Sequence, residues 1–127
     1  MYLIDSDVLI NFLKGEEIAI KTIKKLQNKP LYISVISVGE ILEGLLETKN
    51  MKKLSSFKEL LKTVTTINID FQIIEKFASV RKFLRKKGLL IDNFDLLIAS
   101  TCLTRDLILI SNNISHFKRI PGLKIKD

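Results

Sequence analysis

The sequence is poor in cysteine, histidine, proline and glycine, and each shortage excludes something. The single cysteine, Cys102, rules out a disulfide within the chain and fits a reducing compartment. One histidine, His116, and one cysteine are too few for the ligand cluster of a zinc site. Two prolines and five glycines in 127 residues predict mostly regular structure, with no flexible linker and no low-complexity segment.

Long apolar runs are also missing. No stretch approaches the roughly 20 apolar residues that cross a bilayer. The N-terminal sequence MYLIDSDVLI has neither the basic start nor the small-residue cleavage site of a secretory signal. We therefore expect a cytoplasmic protein without a membrane partner. The length suits one domain, covering residues 1–127.

The charge of the chain is one-sided. Lys and Arg number 21 against 14 Asp and Glu, which gives a net charge of +7, and the composition is 46% hydrophobic. Such a chain is globular, and its basic surface favours polyanions such as nucleic acid or anionic lipid. A lysine-rich surface that serves only solubility explains the same charge equally well.

Short apolar runs alternate with amphipathic segments along the chain. Strands are predicted at 2–4, 31–34, 65–69 and 107–110, with a further edge strand at 123–125. Helices are predicted at 8–13, 16–27, from 37 onward, 54–64, 73–87 and 92–103, with a helical turn at 114–117. This alternation indicates an α/β fold with a central, mostly parallel sheet of four to five strands and helices on both faces.

Two acids, Asp5 and Asp7, follow the first predicted strand. Ligands of parallel sheets bind outside the carboxyl ends of the strands, so both acids are candidates for a site. The structural alternative for Asp5 is a helix cap at the strand–helix junction, and Ser6 or Asp7 can also cap the helix predicted at 8–13. A single cap explains one of the two acids, and two carboxylates two residues apart around a turn can converge on a cation.

Glu40 is the second candidate acid, set among apolar residues of a predicted helix. Ser37 and Glu40 match the spacing of a capping box, in which both side chains serve the start of the helix. This structural explanation is strong. Glu40 nevertheless neighbours two of the most apolar positions of its helix, which favours a functional role.

Asp92 and Asp95 lie three residues apart at the start of another predicted helix, and they share one face of it. Asp92 is the better cap, whereas Asp95 precedes a strongly apolar run, in which an unpaired carboxylate is unfavourable. Ser111 and Asn113 follow the strand predicted at 107–110. Asparagine there is typical of a turn, but its amide oxygen can also bind a hard cation or orient a water.

These residue types suit one kind of chemistry. Mg²⁺ and Mn²⁺ prefer carboxylate, carbonyl and water oxygens, and one or two such ions can activate water and neutralise charge on a phosphate. No glycine-rich phosphate loop is present. We expect His116 to be a surface or packing residue and Cys102 a plain core residue.

Four segments, taken in order, resemble the PIN-domain family, and specifically the VapC-type toxins of prokaryotic toxin–antitoxin pairs. They read LIDSDVLI at 3–10, ISVISVGEILEG at 33–44, DNFDLLIA at 92–99, and LISNN at 109–113 with FKRIPGL at 117–123. Each segment alone is weak, but their order and spacing are specific, and the resemblance covers the whole chain.

The resemblance implies a role for each matching residue. Asp5, Glu40 and Asp95 correspond to the metal-binding catalytic acids, and Asn113 stands where the family has a fourth acid or an asparagine. Ser6 and Ser111 match small hydroxyl residues of the family and are auxiliary. Asp7 stands where the family more often has asparagine, and Asp92 stands at a variable position, so both are doubtful auxiliary residues.

The implied activity is that of an endoribonuclease toxin that depends on Mg²⁺ or Mn²⁺, with one or two ions activating the water that hydrolyses an RNA phosphodiester. The resemblance also implies a homodimer and a VapB-like antitoxin, whose C-terminal segment enters the groove near the acids. Arg81, Arg85 and Lys86, with Lys82 and Lys87 beside them, can grip the phosphate backbone. A solvated helix end is the simpler explanation of these cations.

Three other functions stay open on the sequence. The chain can be a module that binds RNA or a partner without cutting, or a nuclease directed at DNA. The pair Asp5 and Asp7 also resembles the start of aspartyl-phosphate phosphatases, although the helix that carries Glu40 fits those enzymes poorly. The RNA that is cut, the identity of the antitoxin and the choice between Mg²⁺ and Mn²⁺ are not encoded in any motif of the chain.

Overall fold

Five short parallel strands form the centre of the molecule in the computed structural model, which describes residues 1–126. The strands are β1 (Tyr2–Ile4), β2 (Leu31–Ser34), β3 (Thr65–Ile67), β4 (Ile108–Ile110) and β5 (Ile125–Lys126), and their order across the sheet is β3-β2-β1-β4-β5. Every neighbouring pair is parallel. The predicted α/β class and strand number are therefore confirmed.

Seven helices connect the strands within residues 1–126. They are α1 (Ser6–Leu13), α2 (Glu17–Leu26), α3 (Val35–Thr48), α4 (Met51–Leu61), α5 (Phe71–Lys87), α6 (Asn93–Arg105) and α7 (Ile114–Phe117). None of these helices has both the length and the apolar character needed to cross a membrane.

The sheet is covered on both faces because successive residues of a strand point in opposite directions. Leu3 packs in a buried cluster with residues of α5 and α6, such as Leu84 and Leu96. Its neighbour Ile4 packs in a second buried cluster with residues of α1 to α4, such as Phe57. The central strand thus has no polar face, which explains why it reads as a continuous apolar run.

Two predicted helix starts are wrong. Asp5, and not Ser6 or Asp7, caps α1: its carboxylate accepts a hydrogen bond from the backbone N–H of Ser6 at 2.8 Å. The reason is tertiary, since the backbone N–H of Asp5 still donates to the carbonyl of Ile110 at 2.9 Å in the sheet. The chain turns into a helix immediately after that bond.

The predicted capping box of Ser37 and Glu40 is also wrong. Helix α3 begins at Val35, and Ser34 caps it by accepting from the N–H of Ile36 at 3.1 Å. Ser37 is fully buried in the first turn, and its hydroxyl has no hydrogen-bond partner among residues 1–126. Glu40 therefore has no capping task and is available for another role.

The other boundaries differ from the prediction by a few residues. Helix α4 runs from Met51 to Leu61 where 54–64 was predicted, and the last strand is Ile125–Lys126 where 123–125 was predicted. The predicted cap Asp92 and the predicted end of the fifth helix at residue 87 are confirmed. Gly88 adopts a φ of 68°, in the left-handed region that glycine reaches without strain.

The topology brings four segments to one edge of the sheet. The carboxyl ends of β1, β2 and β4 lie side by side because these strands are parallel neighbours. Helix α6 runs back along the sheet before β4, so its first turn lies at the same edge. The segments that follow β1 and β4, the start of α3 and the start of α6 can therefore meet there.

Candidate active site

The buried carboxylate of Asp5 lies at the centre of this edge, and its side chain is held at both oxygens. Oδ1 accepts from the backbone N–H of Ser6 at 2.8 Å, and Oδ2 accepts from the hydroxyl of Ser111 at 2.8 Å. Only 3% of Asp5 is exposed. The start of α1 and the residue that follows β4 thus fix this acid from two sides.

Ser6 connects Asp5 to Glu40. Its hydroxyl lies 3.1 Å from Oε1 of Glu40 and 3.4 Å from Oδ1 of Asp5, and it donates to the nearer carboxylate. Glu40 is half-buried in α3, a helix that follows the neighbouring strand. One hydroxyl thus joins acids that are 35 residues apart in the chain.

Asn113 makes the corresponding connection to Asp95. Its backbone N–H donates to the Ser111 hydroxyl at 2.9 Å, and its side-chain Nδ2 donates to Oδ2 of Asp95 at 3.3 Å. The structure therefore brings together all of the predicted catalytic residues. They form one hydrogen-bonded chain, which runs Glu40, Ser6, Asp5, Ser111, Asn113, Asp95.

The two doubtful acids take different places. Asp7 accepts from the backbone N–H of Val8 at 2.7 Å and, through its other oxygen, from that of Asn112 at 3.1 Å. It thus fastens the loop after β4 to α1. Asp92 is exposed and accepts from the N–H groups of Phe94 and Asp95, at 3.0 and 3.4 Å, as the cap of α6.

The proton affinity of the central acid shows how unfavourable its charge is. Burial, with the nearby charge of Asp7, raises the pKa of Asp5 to about 7, although the hydrogen bonds from Ser111 and Ser6 oppose the rise. A carboxyl group with this pKa is partly protonated near neutral pH. Any bound cation would favour its ionised form.

The two outer acids show the same trend. Burial raises the pKa of Glu40, and the charges of Asp95, Asp92 and Asp7 add to the rise. Burial also raises the pKa of Asp95, with a further rise from Asp92 and an opposing effect of the neighbouring His116 ring. The acids are thus close enough to repel one another, which is typical of a functional site.

No basic side chain within residues 1–126 forms an ion pair with these acids. The ion pairs in that range join Lys21 to Glu17, Lys62 to Glu59, Arg105 to Asp70 and Lys124 to Asp106. The same residues contain no group of three acid, histidine or cysteine side chains already converged at metal-binding distances. Asp5 is buried and held at both oxygens, whereas Glu40 and Asp95 are only partly buried.

The predicted phosphate-binding cations are distributed around the start of α6. Nε of Arg81 donates to Oδ1 of Asn93 at 3.1 Å, which places this guanidinium next to the first turn that carries Asp95. Arg85 and Lys86 are exposed in the last turn of α5, where their charges also complement the helix dipole. Arg81 is thus tied to the site, and the other two cations lie on the exposed surface.

The sequence predicts no functional role for Cys102 or His116, and the structure places these two residues in different surroundings. Cys102 is a buried core residue, as predicted, and burial raises the pKa of its thiol to about 12, so the reactive thiolate is suppressed. His116 was expected to be a surface or packing residue, but its Nδ1 lies 3.0 Å from Nδ2 of Asn113. Its spacing of three residues from Asn113 in a helical turn was the available signal.

An α/β domain with a cluster of carboxylates at the carboxyl edge of a parallel sheet defines the general class of this protein. Comparison with known proteins narrows the class. The model of the PIN-domain family matches residues 2–123, and the chain therefore belongs to the PIN-domain family.

Similar proteins in that family are named as VapC ribonucleases. The chain is 36% identical to ribonuclease VapC1 of Methanocaldococcus jannaschii over 127 residues, covering 98% of this chain and 86% of that protein. It is 34% identical to ribonuclease VapC2 of Rickettsia felis over 105 residues, covering 80% and 76%. The structure matches a chain of VapBC2 from Rickettsia felis, solved bound to a promoter DNA fragment, with a TM-score of 0.91, 27% identity and coverage of 98% and 96%.

Proposed function

We propose that this protein is a divalent-cation-dependent endoribonuclease and acts as the toxin of a toxin–antitoxin pair. One observation carries the proposal: Asp5, Glu40 and Asp95 share a hydrogen-bonded network, without an ion-pair partner within residues 1–126, in a chain of net charge +7. Buried like charges are unfavourable unless a ligand compensates them. Membership of the PIN-domain family and the similarity to VapC ribonucleases support the same conclusion.

The donor set suits Mg²⁺ or Mn²⁺. Asp5, Glu40 and Asp95 would hold one or two ions through carboxylate oxygens, which these hard cations prefer. The raised pKa of each acid supports this assignment, because a cation would stabilise the ionised form that burial and the neighbouring acids disfavour. When bound, such an ion neutralises charge on a phosphate and makes a coordinated water more acidic.

The protein's own residues supply position. Ser111 and the backbone of Ser6 fix Asp5, and the Ser6 hydroxyl keeps Glu40 beside it. Asn113 holds Asp95 in the same network and has an amide oxygen that can orient a water. Arg81, beside the first turn of α6, is placed to attract the phosphate backbone of RNA.

We also propose a VapB-like antitoxin as partner, and a homodimer as the form of the toxin. The solved structures that this chain matches include VapBC-1 from nontypeable Haemophilus influenzae and a toxin–antitoxin complex from Klebsiella pneumoniae. An apolar groove of about 270 Å³ lies between α1, α3 and the start of α4, with Ile10, Ile41 and Leu45 in its wall. The groove thus lies along α3, the helix that also carries Glu40, and we infer that an antitoxin segment bound there would approach the acids.

The test is cleavage of a mixed cellular RNA pool by the purified protein, with Mg²⁺, with Mn²⁺ and with chelator. We expect cleavage only with a divalent cation, and a loss on the order of a hundredfold or more in the Asp95→Asn variant. Asp106→Asn is the matched control because Asp106 is an exposed aspartate in a left-handed conformation that asparagine also adopts.

The outcomes separate the candidate functions. Full cation-dependent cleavage by Asp95→Asn would show that the site is assigned wrongly. RNA binding without cleavage under any condition would favour the module that binds without cutting. Cleavage of DNA but not RNA would favour the DNA-directed nuclease, and a trapped phospho-aspartate would favour the phosphatase.

A further inference from the structure

His116 is the one imidazole of the chain, and it lies against the site without an assigned task. It is half-buried in α7, three residues after Asn113. Within residues 1–126, the only hydrogen bond of its ring joins Nδ1 to Nδ2 of Asn113 at 3.0 Å. The fully buried neighbour Phe117 anchors α7 in the core, so packing does not explain why position 116 carries an imidazole.

The hydrogen bonds of Asn113 determine which ring nitrogen of His116 carries the proton. Nδ2 of Asn113 has two hydrogens and two neighbours, Oδ2 of Asp95 at 3.3 Å and Nδ1 of His116 at 3.0 Å. Both bonds are donated by the amide. In this orientation of the amide, Nδ1 of His116 accepts and the ring proton lies on Nε2.

This arrangement leaves the amide oxygen of Asn113 free. Oδ1 has no hydrogen-bond donor among residues 1–126, so it can accept from a water at the acid cluster. If the amide were reversed, Oδ1 would face the Asp95 carboxylate and the unprotonated Nδ1 of His116. Oδ1 would then lie within hydrogen-bond distance of two acceptors with no hydrogen between them, and both contacts would be repulsive.

We propose that His116 is a positioning residue: as the tautomer with its proton on Nε2, it fixes the Asn113 amide with Nδ2 towards Asp95 and Oδ1 available to the catalytic water. The proposal rests on the proposed function of the acid cluster. With the proton on Nδ1 instead, His116 would donate to Oδ1 of Asn113. That bond would stabilise the reversed amide, in which Oδ1 faces the Asp95 carboxylate. The imidazole therefore sets which end of the amide faces the acids.

The first arm of the test does not depend on activity. Because the chain has one histidine, ¹⁵N spectra of the labelled full-length protein, recorded at about pH 8.5, report the ring nitrogens of His116 without further assignment. We expect an unprotonated Nδ1 that is shifted by hydrogen bonding, and a loss of that shift in Asn113→Ala. A proton on Nδ1, or an unchanged Nδ1 signal in Asn113→Ala, would overturn the proposal.

The second arm compares two replacements of His116. Asparagine can place an oxygen near the position of Nδ1 and accept from Asn113, whereas leucine can pack but cannot accept. We expect His116→Leu to lower kcat by about tenfold to a hundredfold with little change in KM, and His116→Asn to restore most of it. A purely structural role would reverse this ranking, because leucine is the better helix former.

A double-mutant cycle completes the design. Once Asn113 is alanine, the leucine replacement at position 116 should have no further effect on kcat, since the amide it would position is gone. Additive losses would overturn the proposal. If the wild-type protein does not cleave RNA, the proposed function fails, while the ¹⁵N spectra still decide the contact between His116 and Asn113.

Discussion

The two ends of the central strands arrange their charges in opposite ways. At the amino end, the ring of Tyr2 faces the ammonium groups of Lys29 and Lys126, at 5.4 and 5.5 Å from its centroid, which is an attractive arrangement. At the carboxyl end, burial and the repulsion between neighbouring acids raise the pKa values of Asp5, Glu40 and Asp95. One end of the sheet thus carries an attractive arrangement of charges, and the other carries acids whose ionised forms are disfavoured.

The comparison shows that burial alone does not identify a structural residue. Leu3 and Asp5 are both almost fully buried, two residues apart in the same segment. Burial of the Leu3 side chain stabilises the folded state, whereas burial of the ionised Asp5 carboxylate destabilises it. A protein that keeps such an acid accepts lower stability in exchange for function.

Among the residues that position the acids, Ser111→Ala is expected to have the largest effect. The buried hydroxyl of Ser111 holds Oδ2 of Asp5 and accepts from Asn113, so its loss releases both residues. We expect RNA cleavage, measured as kcat/KM, to fall about tenfold to a hundredfold. Ser115→Ala is the control, because Ser115 is exposed in α7. Equal losses in both variants would contradict the network.

A smaller effect is expected from charge reversal at Arg85 and Lys86. If these exposed cations contact phosphates, the double glutamate variant should bind RNA several-fold more weakly, and the slope of log affinity against log salt should flatten by about one to two. Lys24 and Lys25 provide the matched control, since they occupy the last turn of α2 in the same way. The same loss at both sites would indicate a general charge effect only.

The smallest effect is expected at the amino end of the sheet. Tyr2→Leu removes the ring that Lys29 and Lys126 face, and we expect it to lower the free energy of unfolding by about 0.5–1 kcal/mol in urea titrations. Tyr2→Phe keeps the ring and should be close to the wild type. RNA cleavage should be unchanged in both variants. A loss of cleavage would contradict the claim that the amino end of the sheet has no part in the reaction.

The strand pattern and the acids at strand ends could be predicted from local sequence. A run such as Tyr2-Leu3-Ile4 can only be a short buried strand or helix segment, and the adjacent Asp5 marks its end. Asp92 as a cap and Gly88 as a stop also follow from local chemistry. The parallel order of the strands then places Asp5 beside Ser111.

The predictions that were wrong concern positions that depend on contacts between distant segments of the chain. Asp5 caps α1 because its backbone is still bonded to Ile110, 105 residues away, which no local pattern encodes. Ser34, and not Ser37, caps α3 because the chain enters the helix directly at the end of β2. His116 reaches the site only because α7 follows Asn113 closely enough to place Nδ1 beside its amide. Such positions follow from the assembled fold.

The most direct measurement compares the thermal unfolding of the wild type and Asp5→Asn at about pH 8, in EDTA and in Mn²⁺. The folded-state pKa of Asp5, about 7, exceeds the ordinary 3.8, so stability is lost as pH rises through 7 and the charge is unfavourable at pH 8. In EDTA, Asp5→Asn should be the more stable protein, by about 1–2 kcal/mol.

In Mn²⁺ the order should reverse, because the ion binds the folded wild type and raises its melting temperature while the variant gains little. This crossover is the result expected if the acids form a cation site. A wild type that is more stable than Asp5→Asn in EDTA and gains nothing from Mn²⁺ would contradict the account, because Asp5 would then be a purely structural residue.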